Sequence, residues 1–197
     1  MATGVVTEDV DTFTEFLLVA FVIGIVVVYL ASMAGRLDRL HHRIETTHSA
    51  LDAQLLRRGA AAQELASSGF LDPASSLVVS GSAQDALVVD PDDDDARSAA
   101  ESELTGALGQ VLATRDDVDD IRDAAGSDVA IAEQLLEELA VACRRVGLAR
   151  RFHNDVVRST LQLRRKRVVR WFRLAGHTTM PTPTDFDDTV PAGLDGL

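Results

Sequence analysis

Three side chains that can bind a metal ion lie at helical spacing early in the chain. His41, Glu45 and His48 stand at positions i, i+4 and i+7, so an α-helix places them on one face. Two imidazoles and a carboxylate form a ligand set that zinc accepts. The same residues also suit a polar face beside lipid headgroups, where histidine responds to pH or contacts lipid without a metal. The residues leave these alternatives open, and we assign no metal site and no cofactor.

Nucleophilic or hydrolytic chemistry has little support in the sequence. Cys143 is the single cysteine and lies beside small residues, Ala140 and Ala142, which favours a buried structural thiol. The aspartates of 116–123 lack the spacing of a calcium-binding EF-hand and are typical of a solvated face. The sequence contains no glycine-rich phosphate loop, GxSxG elbow or HExxH pair. We therefore predict that the protein is not an enzyme and has no catalytic residues.

A basic segment contrasts with the acidic remainder of the chain. Residues 144–173 hold eleven Lys and Arg and one acidic residue, whereas the net charge of the whole chain is −12. The run Arg164, Arg165, Lys166 and Arg167 is predicted to contact an anionic surface or a partner protein. Nucleic-acid or nucleotide binding through the basic helix 150–173 is the alternative, but no reading motif accompanies the charge and the pI is about 4.7.

All of these residues follow one long apolar stretch, residues 16–34, with the sequence FLLVAFVIGIVVVYLASMA. It has nineteen residues without a charge, and a helix of that length spans roughly 28 Å, close to the ~30 Å hydrocarbon core of a bilayer. A cleaved signal peptide would have a basic start and a shorter apolar core, and residues 1–15 contain four acids and no Lys or Arg. We predict an uncleaved, single-pass transmembrane helix.

Charges on either side of this stretch predict its orientation. Arg36, Arg39 and Arg43 follow it, and no basic residue precedes it. Basic residues stay on the cytoplasmic side, so the predicted location is the cell membrane, with residues 1–15 as a short extracytoplasmic tail and the C-terminal domain in the cytoplasm.

The remaining sequence predicts an all-α fold in which the membrane helix continues, like a coiled coil, into an antiparallel helical bundle. Apolar residues recur every three or four positions, aromatic residues are few, and Ala, Leu, Arg and Asp are abundant. Ile131, Leu135 and Leu139 form a stripe that we expect to pack against Leu51, Leu55 and residues of the last helix. The first predicted helix ends at Ala66, and the second begins at Asp72-Pro73 with an interruption at Ser80-Gly81. Later helices are predicted over 96–125, 129–146 and 149–175, with Gly147 either a break or merely a weak point between the last two. Residues 35–175 thus form the cytoplasmic domain with an acidic loop at 90–95, and the proline-rich residues 176–197 are expected to form an extended or disordered tail.

Two segments of the chain resemble one known family. RLDRLHHRIETTHSALDAQLLRR after a membrane helix, and ARRFHNDVVRS in the last helix, are similar to the LemA family. The resemblance covers residues 14–66 and 127–188 and suggests a divergent member. It implies an N-terminal membrane helix leading into a cytoplasmic, antiparallel helical domain, and it implies no reaction.

These observations together favour a membrane-anchored scaffold or sensor. Its expected partners are the lipid bilayer and one or more other proteins at the inner face of the membrane, and nucleic acid is the less favoured ligand. Neither the identity of the partner nor the oligomeric state follows from the sequence.

Overall fold

The computed structural model describes the backbone of residues 4–91, 93–165 and 180–197, and the side chains of these residues from Thr14 onward except that of Leu37. Within these residues all regular structure is helical and no strand occurs, which confirms the predicted all-α class. The helices are α1 (Gly4–Ser67), α2 (Pro73–Val88), α3 (Asp94–Val111), α4 (Arg115–Ala125) and α5 (Val129–Arg164), with 3₁₀ turns at Gly126–Asp128 and Ala192–Leu194.

The chain divides into two compact units. The first comprises Met1–Arg43 and Ser159–Met180, and the second comprises Ile44–Arg158 and Pro181–Leu197. In the first unit, α1 is long and apolar enough to cross a membrane by length and composition, and only 6% of its apolar window is buried. Phe16, for example, is 69% exposed. Burial inside the protein therefore does not account for the apolar character of this segment.

Side-chain caps define where the helices of the second unit begin. Asp72 accepts hydrogen bonds from the backbone N–H groups of Ala74 (2.9 Å) and Ser75 (3.1 Å), so α2 begins at Pro73 as its sequence predicts. Asp93, from the acidic loop, caps α3 through the N–H of Ala96 at 3.0 Å. The predicted interruption at Ser80-Gly81 is wrong, because α2 runs through both residues.

Two helix boundaries differ from the predicted ones. The predicted helix over 96–125 is divided at Leu112–Thr114, where Thr114 and Asp117 form a reciprocal capping box that starts α4. Conversely, α5 continues through Gly147. A Cβ there would lie 3.0 Å from Oδ2 of Asp188, so this glycine makes room for the C-terminal segment rather than ending a helix.

The predicted packing of the α5 stripe is only partly correct. Leu135 and Leu139 are buried in the main core of the second unit, but Ile131 is 54% exposed. Leu51 and Leu55 lie in a separate cluster with Val146 and Phe186 rather than against that stripe.

The C-terminal segment is extended and packed in its described part, so of the two alternatives predicted for 176–197 the extended one fits these residues and the disordered one is wrong for them. Leu194 is fully buried, and the backbone N–H of Gly193 donates to the carbonyl of Leu112 at 3.0 Å. A Cβ on Gly193 would overlap backbone carbonyl oxygens of residues 112 and 114, so only glycine fits. Residues 176–179 lie outside the described residues.

Candidate functional site

The candidate metal ligands His41, Glu45 and His48 are not part of any group that could hold a metal ion in the described part of the chain. His41 and Glu45 are exposed on α1, and His48 is partly exposed. Among the described residues, no group of three His, Cys, Asp or Glu side chains is arranged to hold a metal ion. Instead, His48 takes part in a polar cluster with residues from other helices.

This polar cluster surrounds His153, a buried residue of α5. Thr47 Oγ1 lies 3.2 Å from His153 Nδ1, and the rings of His48 and His153 are 5.5 Å apart. His48 Nε2 is 3.8 Å from a carboxylate oxygen of Asp52, which forms an ion pair with Arg97 of α3. The cluster therefore joins α1, α3 and α5 through polar contacts rather than through apolar packing.

Burial determines the protonation of His153. The side chain is 3% exposed, and desolvation lowers its pKa, as do His48 and Arg97, whereas Asp52 and Asp94 act in the opposite direction. A neutral imidazole this deeply buried is unavailable to a substrate in solution. The arrangement is therefore suited to holding helices together, with a response to mild acid, rather than to proton transfer on a ligand.

A buried ion pair links α1 to α3. Arg58 and Glu101 are each 2% exposed, and Arg58 Nη2 donates to Oε2 (2.5 Å) and to the main-chain carbonyl (2.9 Å) of Glu101. Arg58 Nη1 donates to Oγ1 of Thr105 at 2.9 Å, and that hydroxyl donates to the carbonyl of Asp187 at 2.7 Å. One guanidinium thus connects two helices and, through Thr105, the C-terminal segment.

Residues of α5 hold the C-terminal segment in place. Arg150 makes a two-pronged contact with Asp188, from Nε at 2.9 Å and Nη2 at 2.7 Å, and lies 5.5 Å from the ring centroid of Phe186. The hydrogen bonds with Asp188 raise the pKa of Arg150. Asn154 exchanges two hydrogen bonds with the backbone of Thr184, at 2.9 and 3.0 Å. Both side chains are consequently committed to internal contacts.

The basic run is only partly described. Arg164 is the last residue of α5, and Arg165 follows in an exposed turn. Lys166 and Arg167 lie outside the described residues. The predicted role of these four residues as an anionic-surface or partner contact therefore stays a prediction.

An apolar surface on α5 is the clearest candidate for contact with another protein. Leu148 and Phe152, one helical turn apart, are 54% and 59% exposed. They continue the face of Val141 and Arg145, which line a groove of about 460 Å³ together with Arg57 and other residues of α1. Large apolar side chains beside a groove of mixed charge are typical of a protein-binding surface.

Cys143 is a buried thiol, as predicted. It is 3% exposed within the main core, and burial raises its pKa, with Arg58 and Arg144 partly opposing that shift. A protonated, buried thiol is a poor nucleophile.

No protein-family model, curated protein or solved structure matches this chain. The resemblance to the LemA family consequently stays a prediction.

Proposed function

We propose that this protein is a single-pass membrane scaffold or sensor whose helices form an antiparallel bundle at the inner face of the membrane. One observation carries the proposal: α1 contains a segment long and apolar enough to cross a membrane, and only 6% of that apolar window is buried. A bilayer would cover the exposed apolar side chains and so anchor the chain to the membrane. An N-terminal membrane helix followed by a helical domain is what the resemblance to the LemA family implies, so we also propose that this protein is a divergent member of that family.

The proposed orientation depends on the charges that flank the apolar segment. Arg36, Arg39 and Arg43 directly follow it, and residues 1–15 carry only acidic charges. The positive-inside rule then favours a cytoplasmic domain in the cell membrane and an N-terminus on the other side.

A binding role is favoured over an enzymatic one by the state of the reactive side chains. Cys143 and His153 are both buried, and Arg150 is held by Asp188. The apolar pair Leu148 and Phe152, by contrast, is exposed on the same face of α5 as the groove. We propose that a partner protein buries this pair, in the way that aromatic and aliphatic anchors dominate many interfaces.

Site-specific photocrosslinking in intact cells tests this role. A photoreactive phenylalanine analogue at position 152 should give a discrete protein adduct in the membrane fraction. The same analogue at Leu77, an exposed apolar residue of α2, is the matched control and should not give that adduct. Absence of an adduct at 152, or the same adduct at both positions, would contradict the proposal.

The same experiment distinguishes the alternative function. Arg150 is paired with Asp188, and Arg158 lies 3.3 Å from Asp155, so two arginines of the segment 150–173 already have acidic partners. We expect nuclease treatment to leave the adduct at position 152 unchanged. An adduct that disappears with nuclease would instead favour nucleic-acid binding.

A further inference from the structure

The first unit contains a basic cavity directly after the apolar segment. Its volume is about 420 Å³. Residues of α1 and of the end of α5 line it: Arg36, Arg39, Leu40, Arg43, Ser159, Gln162 and Leu163.

The charges of this cavity favour an anion. Arg36, Arg39 and Arg43 stand at i, i+3 and i+7 on one face of α1, and the described lining residues include no carboxylate. Guanidinium groups bind phosphate through paired, charge-assisted hydrogen bonds. Ser159 and Gln162 add uncharged hydrogen-bonding groups from a second helix, so the cavity combines charge with directional contacts.

The position of the cavity along α1 matches the headgroup layer. At about 1.5 Å per residue, Arg36 lies roughly 3 Å and Arg39 roughly 8 Å beyond Ala34, and each headgroup layer is about 5–8 Å thick. Nη1 of Arg39 is 4.0 Å from the point that a Cβ on Gly35 would occupy, so its guanidinium reaches back toward the apolar segment. That direction brings the cation toward the depth at which lipid phosphates lie.

We infer that this cavity binds the phosphate of an anionic lipid headgroup through Arg36 and Arg39, with hydrogen bonds from Ser159 and Gln162. The inference rests on the membrane location in the proposed function and adds a specific lipid contact to it. If the arginines served only to keep this end of the helix on the cytoplasmic side, their charge alone would be sufficient. A built site additionally depends on the uncharged residues of α5, and this difference can be measured.

Native mass spectrometry of the full chain in a neutral detergent tests the site. The purified protein is titrated with phosphatidylglycerol, and with phosphatidylcholine as the zwitterionic control. The variant Arg36→Gln/Arg39→Gln removes two of the cavity's cations. The variant Arg144→Gln/Arg145→Gln removes the same charge from exposed positions of the second unit and is the matched control.

The proposal predicts preferential binding of phosphatidylglycerol that falls at least about tenfold in the Arg36/Arg39 variant, since charge-assisted hydrogen bonds are lost. The Arg144/Arg145 variant should bind like the native protein. Gln162→Leu keeps the charge and should weaken binding about two- to tenfold, as expected for one hydrogen bond. Equal affinity in the two double variants, or no effect of Gln162→Leu, would overturn the proposal.

Inorganic phosphate at millimolar concentration separates the two sources of the ligand. If phosphate alone displaces the lipid and binds with the same dependence on Arg36 and Arg39, the site recognises free phosphate and the lipid assignment is wrong. The lipid titration requires no partner protein, so a negative photocrosslinking result would leave it unaffected. Loss of lipid binding would likewise leave the crosslinking result unchanged.

Discussion

Neutralising one side of the buried ion pair should weaken the core of the second unit strongly. In Arg58→Met, the carboxylate of Glu101 stays buried without the guanidinium that now lies 2.5 Å away, and Thr105 loses its donor. Breaking a buried pair from one side typically costs about 3–5 kcal/mol, whereas replacing both charges with apolar residues is often nearly neutral. Arg58→Met/Glu101→Leu should therefore recover most of the loss.

The single cysteine provides an assay for this change in the intact protein. Cys143 lies in the same core and is 3% exposed, so a maleimide reaches it only when the core opens. A loss of about 3–5 kcal/mol in the free energy of opening corresponds to an alkylation rate about a hundredfold to several thousandfold higher. The full chain in detergent micelles is used, and the rate in concentrated urea corrects for the intrinsic reactivity of each variant.

Two results would refute this reasoning. If Arg58→Met raised the alkylation rate of Cys143 by less than about tenfold, which corresponds to about 1.4 kcal/mol, the ion pair would be solvated or dispensable. A double variant whose rate equals the product of the two single effects would mean that Arg58 and Glu101 do not interact energetically.

Three further changes test the packing and the polar cluster. Leu135→Ala should lower the free energy of unfolding by about 2–5 kcal/mol, measured by urea titration with circular dichroism. Ile131 lies on the same helix but is 54% exposed, so Ile131→Ala should change this free energy by less than about 0.5 kcal/mol. Gly193→Ala should release the C-terminal segment, because its methyl group would meet backbone oxygens, and chymotrypsin should then cleave after Phe186 much faster than in the native protein. Burial lowers the pKa of His153 below its usual value, so in mild acid the folded state binds fewer protons than the unfolded state. The free energy of unfolding should therefore fall as the pH is lowered from about 7.5 to about 5.5. His153→Gln should make that fall smaller.

The helices and the apolar segment could be predicted from the sequence because their signals are local. Asp72 before Pro73 marks the start of α2, and residues 16–34 stand out by apolar character alone. The division at 112–114 also had a local signal, the Thr114-x-x-Asp117 capping box, which the apolar periodicity of the flanking helices obscured.

The buried polar contacts are long-range and were missed for that reason. Arg58 continues the apolar stripe of Leu51 and Leu55, and Glu101 precedes Leu104 on the stripe of α3, so each charge occupies a core-facing position. Charges at such positions indicate a buried pair, but the sequence does not say which two residues meet.

The packing of the C-terminal segment was missed for a related reason. A proline-rich composition favours disorder only when nothing binds the segment. Its order here depends on partners far away in sequence, including Arg150, Asn154 and the carbonyl of Leu112.

Cysteine accessibility in intact cells tests the central claim, a single membrane helix with the domain in the cytoplasm, most directly. In a Cys143→Ala background, Ser127→Cys places a thiol in the exposed 3₁₀ turn Gly126–Asp128, and Thr7→Cys places one before the apolar segment. A membrane-impermeant maleimide should label Thr7→Cys in intact cells and should label Ser127→Cys only after lysis, with both proteins in the membrane fraction. Labelling of Ser127→Cys in intact cells, or recovery of the protein in the soluble fraction, would contradict the claim.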